Sequence, residues 1–128
     1  MRLLLDTHAF LWWVTDDPKM SMAAREAIQD PQAECLVSLA SCWEMAIKQS
    51  LGKLKLETPL DQFVPLHMAT NGFLQMDIEF RHVARVADLP LYHRDPFDRL
   101  LAAQAMVEDM PLVSSDPAFD DYGVQRLW

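Results

Sequence analysis

The chain has 128 residues, 51% hydrophobic and 23% charged, enough for one domain with a real core and too few for two, so residues 1–128 are read as a single domain. The formal net charge of −8 argues against a general electrostatic grip on nucleic acid and leaves phosphate contacts to local basic clusters. Asp6 and His8 break the apolar opening too early for a signal peptide, and no run approaches a membrane span, so the expectation is a soluble cytoplasmic protein with Cys35 and Cys42 as free thiols.

In chain order, Arg2–Leu5 is a short apolar run ending at Asp6-Thr7, which predicts a strand buried on both faces. Residues 8–14 are helix-compatible, and Asp16-Asp17-Pro18 is a turn. Ser21 caps a second helix over Met22–Gln29, which Asp30-Pro31 ends. Residues 35–37 predict the next strand; Ser38 ends it and opens a long helix to about residue 50, stopped by Gly52. Thr58-Pro59 begins a helix to about residue 69, Asn71-Gly72 turns the chain, residues 73–76 predict a short strand and 79–87 a helix. Pro96 fits only a first helical turn, so Asp95 is the N-cap of a helix over 96–109, with Asp98 at its third position. Residues 111–115 predict a strand ending at Asp116-Pro117, and 124–128 a final edge strand. Strands alternating with helices predict an α/β fold in which helices cover both faces of a parallel sheet.

Asp6 and Asp116 each follow directly on a buried strand, and ligand sites of parallel α/β sheets lie at the carboxyl ends of the strands. Asp95 and Asp98 stand at a helix start on that same edge. Taken singly, each reads as a capping acid that satisfies free N–H groups and complements the helix dipole. Glu44 has two readings. If the helix begins at Ser41, Ser41-Cys42-Trp43-Glu44 is a capping box; if it begins at Ser38, which the continuation through Leu39-Ala40 favours, Glu44 lies in the second turn and caps nothing. Together, Asp6, Glu44, Asp98 and Asp116 on one edge repel one another unless compensated, and Mg²⁺ or Mn²⁺ supplies that compensation. A carboxylate cluster of this kind suits in-line attack on a phosphodiester.

The chain resembles the PIN-domain ribonucleases, and within them the VapC-like toxins of toxin–antitoxin systems. The resemblance is carried by Leu3-Leu4-Leu5-Asp6-Thr7-His8, then by Val37-Ser38 with Ser41-Cys42-Trp43-Glu44-Met45-Ala46-Ile47-Lys48, and by Gly52-Lys53-Leu54. It continues through His93-Arg94-Asp95-Pro96-Phe97-Asp98-Arg99-Leu100-Leu101-Ala102-Ala103-Gln104-Ala105 and ends at Leu112-Val113-Ser114-Ser115-Asp116. What it implies is a small three-layer α/β sandwich around a parallel sheet, and Mg²⁺- or Mn²⁺-dependent cleavage of RNA. It also implies an antitoxin partner that blocks the site, and a toxin homodimer. By position the acidic quartet is Asp6, Glu44, Asp98 and Asp116, while Asp95 belongs to the motif of one subgroup. Where the family often has Thr before the last acid, this chain has Ser114-Ser115. With its negative charge and no basic DNA-reading motif, the chain is expected to meet DNA only through the antitoxin.

Other residues carry weaker signals. Thr7 and Ser115 flank acids, and either orient a water or phosphate or cap helices. Lys48, Lys53 and Lys55, with Arg94 and Arg99, are candidates for RNA phosphate contacts; solvated surface is the simpler reading of the lysines, and pairing with a nearby acid that of Arg99. His93 either binds a phosphate or acts as an acid, or is structural, the commoner role of a lone histidine, and His8, His67 and His82 lack metal spacing. Trp12, Trp13 and the eight methionines read as core, some of them lining a partner surface. Three other functions are open. A receiver-like regulatory module needs a lysine after a late strand, and none follows Lys55; an aspartyl phosphatase opens D-x-D-x-T, and here His8 stands two after Asp6. An inactive PIN-like interaction domain is opposed by the intact acidic set.

Overall fold

The computed structural model describes residues 1–128. Five strands, β1 (Arg2–Leu5), β2 (Glu34–Ser38), β3 (Leu74–Met76), β4 (Leu112–Val113) and β5 (Arg126–Leu127), form one sheet. Six α-helices connect them: α1 (Thr7–Val14), α2 (Met22–Gln29), α3 (Leu39–Ser50), α4 (Leu60–Asn71), α5 (Phe80–Val86) and α6 (Pro96–Val107). The element order is the one expected, and each predicted strand and helix is present within a few residues. A 3₁₀ helix over Pro117–Tyr122, started by Asp116 and Pro117, is an addition the periodicity did not reveal. No helix is long and apolar enough to cross a membrane, and both cysteines are free thiols.

The sheet runs β3-β2-β1-β4-β5, and all four strand pairs are parallel. The first half of the chain therefore adds strands on one side of β1 and the second half on the other. At such a reversal the connections leave to opposite faces and open a crevice at the carboxyl ends of the two middle strands. Here those strands are β1 and β4, paired Leu5 to Val113, and they deliver Asp6 and Ser114 side by side.

Period-two alternation divides the core between the two faces. Leu3, Leu5, Val37 and Val113 pack with Phe10, Ala24, Met45 and Phe63 under α1, α2 and α4. Leu4, Leu36 and Leu112 pack with Leu101, Ala102, Ala105 and Phe119 under α5 and α6. The inner strands are apolar over residues 3–5, 35–37 and 112–113 because both faces are covered there. Helix α3 touches α1, α4 and α6, and so links the two layers.

One buried polar residue ties these parts together. Gln104, on α6 and fully buried, accepts from the Ser38 hydroxyl at 2.6 Å, and its amide reaches the Asp77 carbonyl and His82 Nδ1 at 3.3 Å each. The same Ser38 oxygen accepts the Ala40 N–H at 3.0 Å and so caps α3. Gln104 thus fixes the cap that sets the start of the helix carrying Glu44. Replacing Gln104 with Leu leaves the Ser38 hydroxyl without its acceptor and the Asp77 carbonyl without its donor, at about 1–3 kcal/mol. Chemical denaturation of Gln104→Leu is expected to show a loss of that size; a loss below about 0.5 kcal/mol, the scatter of neutral surface changes, contradicts the role given to the network.

Candidate active site

Each acid of the quartet is placed by an element that the sequence builds for its own reasons. Asp6 follows β1, where its backbone N–H donates to Val113, and it caps α1 by accepting the Ala9 N–H on Oδ1 at 2.8 Å. Asp116 follows β4 and caps the 3₁₀ helix, accepting the Ala118 N–H at 2.9 Å. Asp95 caps α6, with Oδ1 accepting from the Phe97 and Asp98 N–H groups at 2.8 and 3.3 Å. Asp98, one turn on, caps nothing. The helix start therefore needs one aspartate, and the second is left free for other work.

Glu44 lies in the second turn of α3, because Ser38 is the cap. Ser41 is fully buried inside the helix, and its hydroxyl has no partner. The Glu44 carboxylate is only 4% exposed and is held from both sides: Thr7 Oγ1 donates to Oε1 and Lys48 Nζ to Oε2, each at 2.6 Å. Thr7 is thus the clamp of Glu44 rather than a cap. Lys48 was expected at the solvated surface; the i to i+4 spacing on α3 instead lays it on Glu44, which raises the lysine's pKa.

Two further expectations are corrected. Ser115 makes no side-chain hydrogen bond and so caps no helix; it is Ser114, directly after β4, whose hydroxyl accepts the Asp116 N–H at 3.0 Å and lies beside Asp6. Arg99 pairs with no acid. Its guanidinium turns away onto the Val86, Leu89 and Pro90 carbonyls and the Tyr122 hydroxyl, stitching the 86–92 segment to α6.

His93 was read as structural, and the fold puts it inside the cluster. Its Nε2 lies 2.9 Å from Asp116 Oδ2 and 3.0 Å from Asp98 Oδ2. The signal for it was its place two residues before an N-cap aspartate, but its second partner is 23 residues away, at the start of the 3₁₀ helix after β4.

Burial, with Glu44 nearby, holds Asp6 above the usual carboxylate range against the pull of Ser114, the Ala9 N–H and His8. Burial, then Asp95, Glu44 and Asp6, push Asp98 up to about 7, while His93 pulls the other way. Burial also works upward on Asp116, but the Ala118 N–H, His93 and Arg126 together keep it below the ordinary 3.8. Asp98 feels Glu44 and Asp6, and Asp6 feels Glu44, so these three acids share one field, while Asp116 is joined to Asp98 through His93.

Residues 3–125 match the family model of the PIN domain. The chain is also 30% identical over 117 residues to Ribonuclease VapC22 of Mycobacterium tuberculosis, an alignment covering 89% of this chain and 86% of that one. The chain belongs to the PIN-domain family. Its fold is similar to that of VapBC2 from Rickettsia felis, solved bound to a fragment of promoter DNA, with a TM-score of 0.73, 13% identity and 100% of both chains covered. It is also similar to VapBC-1 from nontypeable Haemophilus influenzae, with a TM-score of 0.66, 15% identity and 98% and 96% covered.

The donor atoms of this PIN domain suit a hard divalent cation. All the acids offer carboxylate oxygens, the donor type a hard cation prefers, and Asp98 and Asp6 are surrounded by further acids, Asp95 and Glu44 among them. A second cluster, Glu79, His82 and Glu108, does not fit a metal. Arg81 already bridges its two carboxylates at 2.8 and 2.6 Å, and His82 Nδ1 accepts the Glu79 N–H, which puts the ring proton on Nε2 and removes its lone pair.

Asp98 generates a pH prediction. Its carboxyl titrates near 7 in the fold and near 3.8 when free, so between these values the folded state keeps a proton that the unfolded chain has lost. Stability then falls as pH rises through that window. The melting temperature of Asp98→Asn minus that of the wild type, both without metal, is expected to widen from about pH 4 to about pH 7 and to level off above. A difference that stays constant contradicts the raised pKa.

Proposed function

We propose that this PIN domain is a ribonuclease toxin of a toxin–antitoxin pair, hydrolysing RNA phosphodiesters with Mg²⁺ or Mn²⁺ held by Asp6, Glu44, Asp98 and Asp116. The observation that carries this reading is the convergence of those acids on the crevice where the sheet reverses direction, in a chain whose sequence relatives are VapC ribonucleases. A bound cation supplies Lewis-acid activation of water and neutralises charge developing on the phosphoryl group. The chain's own residues provide the rest. Asp6 and Asp116 stand on rigid strand ends, and their caps fix their rotamers. Thr7 and Lys48 hold the Glu44 carboxylate in one orientation, and the partly exposed Lys48 ammonium offers a contact for a substrate phosphate.

A groove of ≈ 680 Å³ reaches Thr7 and Lys48, the two residues that hold Glu44; Leu11, Trp12, Leu54 and Phe63 line it together with Lys53 and Lys55. We assign it to the antitoxin. Apolar anchors of that partner fill the floor, acidic groups meet the lysines, and the seated segment covers the site. DNA is reached only through that complex, in the cytoplasm. A homodimer is supported by the apolar stripe Leu39, Trp43, Ile47 and Leu51 along α3, where Trp43 is 58% exposed and packs edge-on against Phe97 at 5.0 Å.

Two experiments follow. Purified protein is expected to cut members of a defined RNA panel with Mg²⁺ or Mn²⁺ and to lose that activity in EDTA; full activity in EDTA with cyclic-phosphate ends overturns the metal mechanism. Light scattering coupled to gel filtration is expected to report a dimer for the wild type and a monomer for Trp43→Glu, and an unchanged mass for the variant removes this face as the interface.

A further inference from the structure

The position of His93 between Asp98 and Asp116 has a chemical sense that its tautomer reveals. Nδ1 faces the Asp95 backbone N–H at 3.2 Å. A backbone N–H only donates, so Nδ1 accepts, and the proton of the neutral ring sits on Nε2. That proton points into the seam between Asp98 Oδ2 and Asp116 Oδ2, at 3.0 and 2.9 Å. His93 therefore enters the cluster as a donor and not as a metal ligand. The ring is held there: the His93 N–H donates to the Tyr122 hydroxyl at 2.9 Å, Arg99 reaches the same hydroxyl, and the ring lies 6.0 Å from Phe119.

A shared N–H between two carboxylates does in small measure what a cation does between them. It offsets their repulsion and keeps them close. A dication drawing on the same oxygens brings its charge against the positive end of the Nε2–H dipole, so the two contacts exclude each other. We propose that His93 is a built-in competitor for the cation. With no cation bound it bridges Asp98 and Asp116 and stabilises the acidic edge; cation binding requires that bridge to open and the ring to release both carboxylates. The inference rests on the reading of Asp98 and Asp116 as cation ligands.

The test compares wild type, His93→Phe and His93→Gln at one fixed pH. Mn²⁺ affinity is measured by calorimetry, and the melting temperature with and without Mn²⁺. The phenyl ring keeps the packing on Phe119 but has no donor, and the glutamine amide restores one. His93→Phe is expected to bind Mn²⁺ about tenfold more tightly than wild type, the scale of one lost hydrogen bond to a charged group. Its metal-free melting temperature falls and its gain on Mn²⁺ addition grows, while His93→Gln stays near wild type in all three quantities. A residue with a merely structural role gives the opposite sign in affinity. Equal or weaker Mn²⁺ binding by His93→Phe, with the wild type binding normally, overturns the competitor role alone. No Mn²⁺ binding by the wild type overturns the ligand assignment beneath it.

Discussion

Mutual repulsion among Asp6, Glu44, Asp98 and Asp116 is the constraint around which the carboxyl edge of the sheet is arranged. Four groups of like charge cannot be gathered by attraction to one another; each must be carried there by something else. Strand order does this for two of them. Because β1 and β4 lie side by side where the sheet reverses, the residues that leave those strands are neighbours whatever their charge. The burial of Leu3, Leu4, Leu5, Leu112 and Val113 drives the assembly, at about 1.5–3 kcal/mol for each fully buried side chain, and the carboxylates ride on it.

The same side chains also serve the backbone. Asp6, Asp95 and Asp116 each cap a helix, so one oxygen is engaged by N–H groups that need an acceptor in any case. Capping and function are therefore not rival readings at these positions. The cap fixes the rotamer of a carboxylate and leaves its second oxygen for other work, as Asp116 Oδ2 meets His93. Glu44 and Asp98 cap nothing, and their environments differ in consequence. Glu44 is compensated by Thr7 and Lys48, whereas Asp98 has the N–H of His93 and a neighbouring Asp95, and its pKa climbs to about 7.

Much of this was legible from sequence because it depends on local chemistry. Apolar runs ending in Asp, Pro96 after Asp95, and Ser38 before Leu39-Ala40 announce strand ends and helix starts within a few residues of themselves. The choice of Ser38 over Ser41 as the cap decided the reading of Glu44, and the 2.6 Å bond from Ser38 to Gln104 shows what the sequence pattern could not: a buried partner 66 residues away holds that cap. The places of His93 and Lys48, and the part of Ser114 in place of Ser115, were missed for the same physical reason. Each is defined by a partner on another element or by strand register, and one-dimensional spacing carries neither. Arg99 was misjudged because charge suggested an acid, while the free carbonyls of the 86–92 segment offered a better-placed set of acceptors.

The central claim is that the four acids form one cation site at the reversal of the sheet. It is tested most directly by crystals grown or soaked in Mn²⁺ and measured at a wavelength where manganese scatters anomalously. The account predicts an anomalous peak among Asp6, Asp98 and Asp116, with Glu44 adjoining. A peak only elsewhere, as at Glu79 and Glu108, or none at a Mn²⁺ concentration that supports RNA cleavage, contradicts it.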